Sequence, residues 1–240
     1  MLLHCPPSLS ICTFENYSLM KKLFIAVAFC VPLTCAAQDD KISDYARPGD
    51  FQLGMRTTVS LFGHENSPGF GVGGQWRIQP LKVMNTEWFA DWITIDLNGA
   101  GTRYNGHIGW SVMFYPKKLN RFIPYIMAGH CFDYAKIVPL STQYLDRSDE
   151  IIERWSSAVQ MGLGAHYYLN DRFNLSLAAQ YMLHLSKHLD YELTDTGNGF
   201  YLETQNVTPG EAGLEGHFLI TTSLNYRLFC TSKKYRRTKS

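Results

Sequence analysis

In the stretch YMLHLSKH, residues 181–188, His184 and Ser186 stand two positions apart. A histidine next to a serine can take the hydroxyl proton and turn the oxygen into a nucleophile, provided a carboxylate orients the imidazole. Asp190 or Glu192 could be that acid. Such a set would hydrolyse acyl esters. On an extended strand, however, residues two apart point in parallel, and every strand offers such pairs by chance. His184 and Ser186 also share the parity of Asn174, Ser176 and Gln180, a face of small polar residues. The protein is therefore expected not to be an enzyme, with the H-x-S pair as a minor alternative.

A second group of residues could do ionic work. Arg56, Arg77, Glu87, Asp91 and Arg227 all fall on the small-residue face of their alternating segments. Isolated buried charges are costly, so these should pair with one another. Pairing would make them a structural plug; an ion path or gate is the functional alternative. His107, His166, His184 and His217 share the same parity on four different strands. A metal needs ligands that converge within a few ångströms, and these four lie at different heights along their strands. Ordinary interior histidines are expected, with no metal and no cofactor.

Strands must position all of these groups. Beyond Phe51 no apolar run is long enough for a membrane helix, and period-two alternation recurs. The alternation predicts eight strands, at about 51–62, 70–79, 84–95, 104–115, 121–135, 154–168, 172–187 and 216–229. Val159, Met161, Leu163 and Tyr167 show the pattern, with Gln160, Gly162, Gly164 and His166 between them. A soluble barrel of the lipocalin kind would scatter charges on its outer face, but here nearly all strand charges lie on the face of small residues. Lipid accepts the apolar face, and the small and polar residues then fill a narrow lumen. Connections at 79–82, 116–120 and 169–171 are tight and carry Pro, Asn or Asp. Those at 64–69, about 96–103, 137–153 and 188–215 are longer. Such alternation wires a transmembrane barrel with short periplasmic turns and long extracellular loops. The fold expected is all-β, an eight-stranded antiparallel transmembrane β-barrel. Trp76, Trp88, Phe114, Phe122, Tyr167, Phe173 and Tyr226 cluster near the short-turn ends, where an interfacial aromatic girdle belongs.

Composition agrees. Aromatic residues make up 14% and charged residues only 18% of the 240, and the net charge of +1 gives no pull toward nucleic acid. Residues 20–38, MKKLFIAVAFCVPLTCAAQ, pair two lysines with an apolar stretch and small residues at Ala36 and Ala37, the pattern of a signal peptide cleaved after Ala37. The run is too short to span a bilayer as a helix. Residues 1–19 read as a non-native upstream extension, with translation starting at Met20 rather than Met1. Residues 38–50 read as a periplasmic segment, 51–229 as the barrel and 230–240 as a basic periplasmic tail. Four of the six cysteines precede residue 38; Cys131 and Cys230 remain, with no spacing for a metal or a disulfide framework.

The stretches NTEWFADWIT (85–94), HIGWSVMFYP (107–116) and SLAAQYMLHL (176–185) resemble the small outer-membrane barrels of the OmpA/OmpX type, as found in the Bacteroidetes group. The resemblance covers about residues 45–229. It implies a monomer in the outer membrane of a Gram-negative bacterium, surrounded by outer-membrane lipids and lipopolysaccharide and inserted by the barrel-assembly machinery. It also implies a porin-like scaffold whose long loops meet an extracellular ligand, in a structural or adhesive role. Such barrels usually end on an aromatic residue. In SLNYRLF that residue is Phe229, but strict alternation turns it away from the outward parity of Tyr226 and Leu228, and CTSKKYRRTKS comes after it. The H-x-S pair resembles part of the site of the outer-membrane lipid A deacylase, though the Asn-Ala-Gly that commonly follows there is replaced by Lys187-His188. A narrow pore is the remaining alternative.

Overall fold

The structure, a computed structural model, describes residues 45–61, 67–140, 151–187, 192–195, 200–203 and 212–232. The residues expected to form an upstream extension and a signal segment, and most of those expected to form a basic tail, lie outside the described residues. Among the described residues there is no helix. The strands are β1 (Asp50–Leu61), β2 (Gly69–Leu81), β3 (Met84–Asp96), β4 (Gly101–Phe114), β5 (Phe122–Pro139), β6 (Ile152–Tyr168), β7 (Phe173–Lys187), β8 (Glu192–Asp195), β9 (Phe200–Glu203) and β10 (Ala212–Cys230). Eight of them close an antiparallel barrel in the order β1-β10-β7-β6-β5-β4-β3-β2, while β8 and β9 pair as a separate ribbon. Closure leaves no free sheet edge, so the barrel's backbone groups are satisfied without water, as a membrane requires.

Period-two alternation separates the two faces as expected. Outside stand Met55, Phe70, Val72, Ile108, Met161 and Leu163, each about two-thirds exposed or more. Inside, Arg56, Gln75, Arg77, Glu87 and Asp91 are buried. Glycine supplies room where the lumen is tightest. Gly73 faces Asp91 across β2 and β3, and a methyl group there would collide with the Ala90 carbonyl and the Asp91 carboxylate.

Several boundaries differ from the sequence expectation. The loop expected at about 96–103 shrinks to a tight turn, Leu97–Ala100, because β3 and β4 pair as far as Asp96 and Thr102. Asn98 and Gly99 take positive φ there, and the Gly99 amide donates to Asp96 Oδ1 at 2.9 Å. β5 and β6 run on to Pro139 and from Ile152, which shortens the 137–153 loop. The region 188–215, expected as a plain loop, carries the β8–β9 ribbon.

Phe229 also departs from strict alternation. The β1–β10 register slips between Phe51 and Gln52, pairing Phe51 with Phe229 but Gln52 with Arg227. Leu228 is the extra residue of this bulge, and a bulge resets the parity of the residues after it. Leu228 and Phe229 are both about half exposed, and Phe229 stacks on Phe51 with ring centres 5.1 Å apart.

The interior is filled in layers. At the short-turn end Tyr115, Tyr125 and Tyr168 pack with Met113, Ile123 and Met127, and Ala46 of the entering chain packs among them. Tyr45 stacks on Tyr168 at 4.9 Å. At the long-loop end Ile93, Ile95, Leu97, Ile137, Met182 and Leu219 form an apolar cluster, joined by Leu202 of the β8–β9 ribbon. Between these two clusters lies a polar middle.

Candidate lumenal charge and histidine site

Four of the five expected lumen charges form one network. Arg56 on β1 reaches both acids of β3, with Nη1 3.2 Å from Glu87 Oε1 and Nε 3.0 Å from Asp91 Oδ1. Arg77 on β2 holds the other oxygen of Glu87, with Nε 2.6 Å from Oε2. The two arginines thus clamp Glu87 from both sides. The Arg56 guanidinium also lies 4.4 Å over the Phe89 ring and donates to Gln75 and Thr221. Arg77 Nη1 donates to Ser176 Oγ at 2.8 Å, on the far wall. Charges held this way, within hydrogen-bond reach of other polar groups, offset much of the cost of leaving water.

Arg227 does not join this network. Its Nη2 lies 3.0 Å from Asp50 Oδ2, at the entry of the barrel. Asp50 gives no signal in the sequence because it precedes the first predicted strand. β1 begins one residue earlier than expected, and that brings Asp50 into the wall.

The histidines depart from expectation more sharply. His107 and His184, on β4 and β7, meet through Asp133 on β5. His107 Nε2 is 3.1 Å from Asp133 Oδ1, and His184 Nδ1 is 3.2 Å from Asp133 Oδ2. Ser156 Oγ donates to Oδ2 at 3.2 Å, and the His217 ring lies 5.0 Å from that of His184. All of these side chains are buried. His107, Asp133 and His184 each offer one potential ligand atom, and these atoms lie within 4.8 Å of one another. His166 sits apart, between Tyr115 Oη at 3.2 Å and Ser176 Oγ at 2.7 Å. Asp133 carries a sequence signal, its inward parity, but nothing in the chain ties it to two histidines.

Of the H-x-S pair the structure describes the side chain of His184 alone. His184 turns toward Asp133, and the side chain of Ser186, with Asp190 and the side chain of Glu192, lies outside what the structure describes. A different serine, Ser156, approaches His184, at 3.4 Å from Nδ1. That is the same nitrogen Asp133 approaches, whereas a proton relay needs acid and nucleophile on opposite ring nitrogens. His184, Asp133 and Ser156 therefore lack the arrangement of a hydrolase triad.

Of the seven aromatics expected at the short-turn end, six stand as three cross-strand pairs. Trp76 faces Trp88 with ring centres 6.4 Å apart, and Phe173 packs on Tyr226 at 5.0 Å. Phe122 is paired in register with Tyr167, and Phe114 is half exposed near the end of β4.

No protein-family profile matches the chain, and no curated protein matches it in sequence. Solved structures do match. Neisserial surface protein A superposes with a TM-score of 0.51 at 10% identity, covering 75% of this chain and 97% of that one. The N-terminal barrel domain of Pseudomonas aeruginosa OprF gives 0.48 at 9% identity, covering 75% and 98%. The attachment invasion locus protein Ail of Yersinia pestis gives 0.45 at 9%, covering 76% and 100%. With an apolar outer wall, a closed antiparallel sheet of eight strands and a polar filled lumen, the chain has the fold of the small outer-membrane β-barrels.

Proposed function

We propose that the protein is a monomeric outer-membrane barrel of a Gram-negative cell that works through its long-loop rim, in a structural or surface-interaction role such as adhesion or ligand binding. The signal segment 20–37 directs export across the inner membrane and is then cleaved, and the barrel-assembly machinery inserts the mature chain among outer-membrane lipids and lipopolysaccharide. The observation that carries this reading is the filled lumen. Tyrosines close the short-turn end, the Arg56–Glu87–Arg77 network and its partners cross the middle, and an apolar cluster closes the far end. A barrel filled in this way favours neither a pore nor a substrate chamber. What it offers a partner is its rim, and the strand ends joined by the longest connections, 140–151 and 188–211, stand on one side of the barrel.

The test is to replace 140–151 and 188–211 with short turns. The trimmed barrel should still partition with outer membranes, resist carbonate extraction and run faster on gels before heating than after. Attachment of the cells to host or abiotic surfaces should fall to the level of a strain lacking the protein. Unchanged attachment, or discrete conductance steps from the intact protein in planar bilayers, overturns the reading. Ser186→Ala should leave the lipid A acylation profile unchanged; altered acyl chains at normal barrel levels would replace this reading with the deacylase-like one.

A further inference from the structure

We infer that His107, Asp133 and His184 form a binding site for one divalent transition-metal ion of the zinc type, sealed inside the barrel. The donor set comes first. Two imidazoles and one carboxylate are the protein ligands of many zinc sites, and imidazole suits this group of ions. Among the described residues no other three histidine, cysteine or acidic side chains converge in this way.

The geometry is close to what the ion requires. Bonds of about 2.0–2.1 Å in tetrahedral array put neighbouring ligand atoms about 3.4 Å apart. Here His107 Nε2 lies 3.1 Å from Asp133 Oδ1 and His184 Nδ1 lies 3.2 Å from Asp133 Oδ2, and with one ligand atom taken from each residue no separation exceeds 4.8 Å. The barrel wall holds the ligands in place, because Asp91, His107, Asp133 and Ser156 are direct cross-strand neighbours on β3, β4, β5 and β6. Ser156 donates to Asp133 Oδ2, the kind of outer contact that fixes a ligating carboxylate.

The independent observation is polar atoms left over. His107 Nδ1 and His184 Nε2 have no hydrogen-bond partner although both are fully buried, and the 3.1 Å contact of His107 Nε2 with Asp133 Oδ1 lacks hydrogen-bond geometry. Buried polar atoms without partners are rare and costly. A cation between the rings and the carboxylate would satisfy His107 Nε2 and Asp133 Oδ1 together. Its rivals are a proton shared among the three groups, and Arg154, whose Nη2 stands 3.8 Å from Asp133 Oδ2. The site lies within the apolar cluster, with Cys131 and Met182 before Asp133 and His184 on β5 and β7 and Ile137 after Asp133 on β5, so the ion should be captured as the barrel folds.

The test is to refold the urea-unfolded mature chain into detergent with Co2+ or Zn2+ and remove free metal by gel filtration. The expected result is one ion per folded barrel, with the visible ligand-field bands of four- or five-coordinate Co2+. X-ray absorption of the Zn2+-loaded wild type should show a nitrogen and oxygen shell with scattering from two imidazoles, a readout that needs no variant. His107→Gln and His184→Gln should each lose the ion, whereas His166→Gln, which alters a histidine elsewhere in the lumen, should keep it. Folding of each variant is scored by its heat-shifted mobility. Colourless, metal-free wild-type barrels would mean that the proton or Arg154 serves instead, and would overturn the site. Retention by folded His107→Gln and His184→Gln, or an absorption spectrum without imidazole scattering, overturns it equally.

Discussion

Arg56→Met removes the central cation of the lumen, and the structure says which acid suffers. Glu87 keeps Arg77 at 2.6 Å, so it stays paired. Asp91 keeps only a 3.4 Å hydrogen bond from Thr58 and its cross-strand neighbour His107. Breaking a buried pair by removing one partner costs about 3–5 kcal/mol, because the remaining charge has no compensation. Nearly all of that loss should trace to Asp91. Adding Asp91→Asn to Arg56→Met should therefore recover more than half of it, whereas adding Glu87→Gln should recover little and strand Arg77 as well. The assay is urea unfolding in lipid vesicles, scored by the gel mobility of folded and unfolded forms, with wild type, Arg56→Met, Asp91→Asn and their combination arranged as a double-mutant cycle. A single-variant loss below about 1 kcal/mol, typical of an exposed pair, would refute the claim that this network is buried and structural. Additive effects of Arg56→Met and Asp91→Asn would refute the pairing itself.

Gly73→Ala should lower unfolding stability by about 1–3 kcal/mol, because its methyl group must displace the Ala90 carbonyl or the Asp91 carboxylate; wild-type stability in the same urea assay would contradict that packing. Lys118, in the turn between β4 and β5, is held by burial down to about 8, with Asp50 pulling it back up. The folded state thus gives up this proton near pH 8, while the unfolded chain keeps it until the ordinary lysine range. Between those limits the unfolded state binds more protons, so this group makes stability rise with pH across that window. In a barrel carrying ε-13C-labelled lysine, one resonance should titrate near pH 8 and vanish in Lys118→Met; if every lysine titrates together above pH 10, the Lys118 environment is wrong.

Which residues face in and which face out was legible in the chain, because side-chain parity on a strand is a local property with a period of two. Leu53, Trp88, Met161 and Leu175 on the outer wall, and Arg56, Arg77, Glu87 and Asp91 inside, follow from alternation alone. The antiparallel order follows from the connections, and the count of eight barrel strands from the number of alternating segments. Heights around the barrel are a different matter. Strands in a closed barrel are tilted and staggered, so residues that meet across the lumen stand at no fixed separation in the chain. That stagger joins His107 to His184 through Asp133, although their positions along their own strands set them apart. Register decided the rest. One extra residue at Leu228 turned Phe229 outward against Phe51, and one added position at the start of β1 gave Arg227 its own acid in Asp50. Parity is set residue by residue along one strand, whereas partners across a lumen are set only when all eight strands have closed.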